Sequence, residues 1–114
     1  DIQEDGIEGA DVVVCTYGIS ARTAVWPVEL AREEGLRVGL LKLLTVWPFP
    51  EEHIRRLAGQ VKAFVVPEIN MGQIVLEVER CAAGKARAIL VPHAGGDIHD
   101  PQEVLAAIRG ASSR

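Results

Sequence analysis

Four short apolar runs limit how this chain can fold: Val12-Val13-Val14-Cys15-Thr16, Arg37 to Leu44, Ala63-Phe64-Val65-Val66-Pro67 and Ala88-Ile89-Leu90-Val91. Each is bounded by turn residues, and none alternates strictly between apolar and polar positions. A strand that is apolar on both faces has to be covered on both, which is the condition of a parallel sheet within an α/β domain. The segments between the runs supply that cover. Helices are expected from about Ser20 to Glu34, over Glu51 to Ala58, over Met71 to Ala83, and through Glu103 to Arg109. Right-handed crossovers put helices on both sides of a mainly parallel sheet, a three-layer αβα architecture.

The helix starts carry local chemistry. Asp100-Pro101-Gln102-Glu103 combines an N-cap carboxylate, a proline at the first helical position and a glutamate at the third. Asn70-Met71-Gly72-Gln73 reads as a capping box in which Gln73 reaches back. Pro50 followed by Glu51 and Glu52 presets φ and puts negative charge on the positive end of the helix dipole. Pro27 conflicts with the first helix. An interior proline removes one hydrogen bond and clashes a turn back, costing about 3 kcal/mol. The sequence therefore predicts a kink near Thr23 or a helix that restarts at Pro27.

At 114 residues, 48% of them hydrophobic, the chain suffices for one domain with its own core. That domain is expected over residues 10–110, with a flexible segment at 1–9 and a frayed tail at 111–114. The first residue is not Met, so an excised piece of a longer polypeptide is expected. The acidic opening is unlike a secretory signal, and no apolar run approaches the length of a membrane span. A formal net charge of −4, with scattered Lys and Arg, argues against a nucleic-acid partner, which requires a basic face. Cys15 and Cys81 are far apart, and two thiolates cannot hold a four-cysteine iron–sulfur cluster. Reduced, buried thiols in a cytoplasmic protein are the expectation.

Ligands of doubly wound sheets gather beyond the C-terminal ends of the strands. Four segments fall there: Tyr17 to Ser20, Thr45 to Pro50, Glu68 to Gln73, and His93 to Asp97. In the first, Cys15 precedes a glycine turn and a helix start, where backbone N–H groups lower a thiol pKa and hold phosphate. Phosphoryl transfer through Cys15 is thus the alternative function, with a phosphate- or carboxylate-binding turn as a related reading. The fit is imperfect: six residues separate Cys15 from Arg22 where the phosphatase loop has five, and Cys15 sits inside the strand. His93, Asp97, His99 and Asp100 cluster in sequence without a known metal spacing, and His53 reads as a surface residue. Glu68 follows an apolar strand directly, and with no nucleophile beside it in sequence it reads as an anchor for a loop or partner. Trp47 and Phe49, held between prolines, form an apolar knob suited to a partner interface. No GxGxxG follows any strand, and no Walker loop is present.

Taken together, the loops carry a family resemblance. Gly39-Leu40-Leu41-Lys42-Leu43-Leu44-Thr45-Val46-Trp47-Pro48-Phe49-Pro50 resembles a segment of 2-oxoacid:ferredoxin oxidoreductase α subunits. Val66-Pro67-Glu68-Ile69-Asn70-Met71-Gly72-Gln73 is similar to a second segment of that family. Ala10 to Val14 with Tyr17 to Arg22 matches its opening strand and turn, and Gly95-Gly96 with Pro101 to Leu105 its ending. The resemblance covers about residues 9–109 and is greatest to the enzymes of 2-ketoisovalerate and 2-oxoglutarate. Lys42-Leu43-Leu44, where the family favours Arg-Pro-Ile, and Pro27 are departures.

The resemblance implies the C-terminal domain of the α subunit, with a transketolase C-terminal-like fold. Its four parallel strands would order 2-1-3-4, and the resemblance leaves open whether a preceding antiparallel edge strand lies within this chain. Complete enzymes of the family oxidatively decarboxylate a 2-oxoacid to an acyl-CoA and reduce ferredoxin. They use thiamine diphosphate with Mg, coenzyme A and iron–sulfur clusters held by other domains and subunits. This domain is expected to bind none of these and to have no catalytic residue. Its expected partners are the rest of the α subunit, the β and other subunits and, for the complete enzyme, ferredoxin. Tyr17, Trp47, Phe49, Glu68, Asn70 and Gln73 are its expected interface residues.

Overall fold

In a computed structural model the chain is described over residues 2–17, 20–44, 49–68, 73–92 and 101–113, with main chain alone at 20–23, 68, 73 and 92. Among the described residues five strands and four helices follow one another: β1 (Ile2–Asp5), β2 (Val12–Tyr17), α1 (Ser20–Glu33), β3 (Val38–Leu43), α2 (Glu51–Ala58), β4 (Ala63–Glu68), α3 (Gln73–Ala82), β5 (Arg87–Pro92) and α4 (Pro101–Ser112). The sheet order is β1-β3-β2-β4-β5. Its four parallel strands stand in the expected 2-1-3-4 arrangement, and β1 adds an antiparallel edge beside β3.

That edge answers a point the resemblance left open. The antiparallel strand is present, and it lies in the segment read as flexible. Ile2 to Asp5 pair with Leu43 to Leu40. Arg32 of α1 fastens the far end: its Nε donates to Val38 O at 2.9 Å and its Nη2 to Asp5 O at 3.1 Å. At the other end α4 runs to Ser112 and Ala111 is buried, within the segment read as a frayed tail.

The sheet separates two apolar layers. On one face, alternate residues of the strands (Val12, Val14, Leu40, Val65) pack with Ala24, Val28 and Ala31 of α1 and Val104, Leu105 and Ile108 of α4. On the other, Val13, Cys15, Leu41, Phe64 and Val66 pack with Ile54 and Leu57 of α2 and Val75 and Val78 of α3. Both faces of each central strand are therefore dry, the arrangement that runs without strict alternation require.

Local signals end the helices where the packing needs it. α1 closes in a Schellman motif, with Leu36 N donating to Ala31 O, Gly35 N to Arg32 O, and Gly35 in the left-handed region at φ +89°. α2 has Glu51 and Glu52 in its first turn and Arg55 and Arg56 in its last, matched to the dipole. The restart at Pro27, one of the two expected outcomes, does not occur. α1 is one helix with a buried Pro27 inside it. Packing of Ala24, Val28 and Ala31 around that position holds the helix despite the absent donor.

Candidate functional site

The connection after β2 runs through α1 on one face to β3, and the connection after β4 runs the other way through α3 on the opposite face to β5. The switch point of this doubly wound sheet therefore lies between the C-terminal ends of β2 and β4, the place where such folds open a crevice. β2 stays paired with β3 through Tyr17–Leu43. With β4 its pairing stops at Val14–Val65, although β4 continues to Glu68.

Pro67 accounts for the early parting. Arg87 N donates to Lys62 O, so the parallel register Ala63–Arg87 turns the main chain of residues 64 and 66 of β4 towards β5. By alternation Ala63, Val65 and position 67 face β2. At 67 the residue is proline, which has no N–H to donate. The next rung between β2 and β4 is thus lost where the crevice begins.

The rim around this parting is partly apolar. Tyr17, at the end of β2, is 37% exposed, and Leu44, just past β3, is 54% exposed. Phe49 does not join them at the surface. It is buried, with 8% of its area accessible, in the core layer of α2 and α3. Of the expected interface residues, then, Tyr17 lies at the rim surface and Phe49 beneath it. Glu68 and Gln73 lie there by main-chain position, closing β4 and opening α3. Trp47 and Asn70 lie outside the described residues, as does the cluster of His93, Asp97, His99 and Asp100.

The thiols are where packing, not chemistry, puts them. Cys15 is fully buried within β2, ahead of Thr16 and Tyr17, so its sulfur belongs to the core and not to the loop. This position does not support phosphoryl transfer through Cys15. Cys81, in the last turn of α3, is 1% exposed, and its burial pushes the thiol above its ordinary pKa. Thr16 is buried beside Cys15, its hydroxyl 3.5 Å from Leu41 O. Among the described residues no group of three or more His, Cys, Asp or Glu side chains is placed to hold a metal ion.

Sequence reasoning missed one polar contact. His53, read as a surface residue, has a side chain only 20% exposed and faces the Glu4 carboxylate of β1 across the sheet edge. Its Nδ1 stands 3.2 Å from Arg56 Nη2. The contact ties α2 to β1, and because β1 itself was not expected, no sequence signal pointed to it.

Comparisons with known proteins agree with this geometry. The family described as pyruvate:ferredoxin oxidoreductase core domain II matches residues 10–104. The 2-oxoglutarate synthase subunit KorA of Methanothermobacter marburgensis is 43% identical over 110 residues, 96% of this chain and 29% of that protein. The ketoisovalerate oxidoreductase subunit VorB of Methanothermobacter thermautotrophicus is 40% identical over 103 residues, 90% of this chain and 29% of that protein. The chain thus spans under a third of the length of these curated relatives. Two solved structures share the fold. A 2-oxoglutarate:ferredoxin oxidoreductase from Magnetococcus marinus, solved with 2-oxoglutarate, coenzyme A and succinyl-CoA bound, superposes with a TM-score of 0.78 at 23% identity, covering 97% of this chain and 19% of that one. A split-gene transketolase, an inactive β4 tetramer, gives 0.81 at 18% identity, covering 97% and 41%. No described helix is long and apolar enough to cross a membrane. With a family match spanning both sheet edges of the parallel core and the helices between them, this chain belongs to the pyruvate:ferredoxin oxidoreductase core domain II family.

Proposed function

We propose that this chain is a non-catalytic assembly domain of a cytoplasmic 2-oxoacid:ferredoxin oxidoreductase α subunit. In the complete enzyme a 2-oxoacid is oxidatively decarboxylated to an acyl-CoA while ferredoxin is reduced. Thiamine diphosphate with magnesium, coenzyme A and iron–sulfur clusters belong to the other domains and subunits. The 2-oxoglutarate and ketoisovalerate relatives name the substrate class.

One observation carries the assembly role: the C-terminal edge of the sheet, where β2 and β4 part, exposes Tyr17 and, just past neighbouring β3, Leu44, while the nearest thiol is sealed in the core. Exposed apolar side chains at a strand-end rim suit contact with neighbouring polypeptide. A buried thiol without access to solvent suits none of the nucleophilic chemistries.

The test has two arms. Isothermal calorimetry of thiamine diphosphate and magnesium against this chain should give no heat of binding. In the complete enzyme, Leu44→Asp should weaken subunit or domain association and leave the rate of properly assembled enzyme unchanged. Tight thiamine diphosphate binding by this chain, or loss of turnover in fully assembled Leu44→Asp enzyme, would overturn the reading.

A further inference from the structure

The two edges of the sheet are built differently. β1 ends it on one side with Gln3, Glu4 and Asp5, all exposed. Charged residues are the usual protection of an edge against further strand pairing. β5 ends it on the other side with Ala88-Ile89-Leu90-Val91, a run without a charge. Leu90 is 37% exposed, and Ala88 and Ile89 are only partly buried.

The direction of the main-chain groups of β5 follows from one bond. Arg87 N donates inward to Lys62 O, so Arg87, Ile89 and Val91 face β4. Alternation then turns the N–H and C=O groups of Ala88 and Leu90 outward, away from every described strand. Pro92 would be the next outward residue, and it has no N–H.

We propose that this edge pairs antiparallel with β5 of a second copy of the chain, in a two-fold register centred on Ile89. In that register Ala88 of each copy lies opposite Leu90 of the other. Both are outward-facing, so each pair exchanges both of its N–H···O=C bonds. Opposed residues share a face of the sheet, which sets the large Leu90 over the small Ala88 twice, while Ile89 meets its own counterpart on the other face.

Neighbouring registers are worse. Centring on Leu90 sets Pro92 opposite Ala88, and a donor is missing. Centring on Ala88 sets Leu90 beyond the strand and brings the two Arg87 side chains within ~7 Å along the seam, at ~3.4 Å per residue. In the Ile89 register they stand about 14 Å apart, beyond the Debye length of about 8 Å at physiological salt.

The strand edge alone is small against the ~800 Å² per partner of a standard interface. The pairing continues the sheet, however, and brings α3 and α4, which lie against β5 on its two faces, up to their counterparts. The association is accordingly weak and concentration-dependent.

Sedimentation equilibrium on the chain, up to millimolar concentration, should reveal a monomer–dimer equilibrium. Leu90→Lys, at a partly exposed position, should weaken it at least about tenfold by placing a charge on the seam. Amide exchange supplies a readout that needs no variant. Protection of the Ala88 and Leu90 amides should rise with concentration, whereas the inward Ile89 amide should be protected throughout. A chain monomeric at every concentration overturns the proposal. So does a dimer that Leu90→Lys leaves intact, or Ala88 and Leu90 protection independent of concentration, which would mean cover from within the chain.

Discussion

Arg109 on α4 holds the carboxylate of Glu34, just beyond the end of α1, with both arms of its guanidinium: Nε donates to Oε1 at 2.9 Å and Nη2 to Oε2. The pair spans 75 residues and staples together the two helices that cover one face of the sheet. Both side chains are solvent-accessible, so the interaction is screened and modest.

Its pH dependence has a definite sign. The hydrogen bonds from Arg109 hold the Glu34 carboxyl below the ordinary carboxylate range. A group whose folded pKa is depressed stabilises the fold above its unfolded pKa, about 4.3 for Glu, and that contribution disappears as pH falls through the folded value. Glu34→Gln should therefore lower the urea midpoint slightly at neutral pH and not at all well below pH ~4. The difference should also shrink in high salt. Equal destabilisation at both pH values would show that the pair acts by packing and not by charge.

Two glycines predict opposite outcomes. A Cβ on Gly39 of β3 would meet Ile7 Cδ1 at 2.9 Å, Ile7 Cα at 3.0 Å and Gly6 O at 3.1 Å, with the β1–β2 connection in the way. Gly39→Ala should cost about 1–3 kcal/mol by forcing that backbone outward. Gly110, at an exposed position of α4, has nothing within 4 Å of a built Cβ. Gly110→Ala should stabilise by about 0.5–1 kcal/mol through helix propensity. Urea unfolding of the two variants beside the parent checks both signs.

Arg32 determines whether β1 stays on the sheet. Its side chain serves Val38 O and Asp5 O and lies 3.4 Å from the Asp5 carboxylate. Arg32→Met keeps much of the stem and removes every donor, leaving the part-buried Val38 carbonyl short of a partner at about 1–3 kcal/mol while exposed Asp5 O turns to water. Hydrogen exchange over Ile2–Asp5 should accelerate while the central strands β2 and β4 keep their protection. Unchanged exchange in β1 would mean that the pairing with β3 alone secures it.

The contrast between what was legible in the sequence and what was not follows the range of the forces involved. The parallel core could be read because Val12 to Cys15 and Ala63 to Val66 are dry on both faces, and that demand is written locally. β1 could not. Ile-Gln-Glu-Asp has one apolar residue, and it is a strand because Leu40 to Leu43 and Arg32, distant in sequence, offer it partners. Pro27 carried a real local penalty, and the burial of Ala24, Val28 and Ala31 overrode it. Phe49, flanked by prolines, was read as part of an exposed interface knob, and its place in the core beside α2 and α3 depends on packing that the loop sequence does not encode. The parting of β2 from β4 was half visible. Pro67 was plain in the sequence, yet which neighbour loses its rung depends on the alternation fixed by Arg87 and Lys62.

Thiol reactivity gives a further measurable consequence. Cys81 is enclosed at the base of α3, where loss of hydration raises its pKa and outweighs the nearby Arg80 cation. Cys15 is enclosed in β2 with no accessible surface. The thiolate is the reactive species, so labelling requires both opening of the fold and deprotonation. Iodoacetamide at mildly alkaline pH should modify both cysteines of the folded chain far more slowly than those of the urea-unfolded chain, by two orders of magnitude or more on the order of the opening equilibria of a stable core. Cys81, near the C-terminal end of a helix, should react before Cys15 in the central strand, because helix ends open at lower free energy than core strands. Mass spectrometry of the labelled peptides distinguishes the order. Rapid labelling of Cys15 in the folded state would place its sulfur at the crevice after all and reopen the question of what that crevice binds.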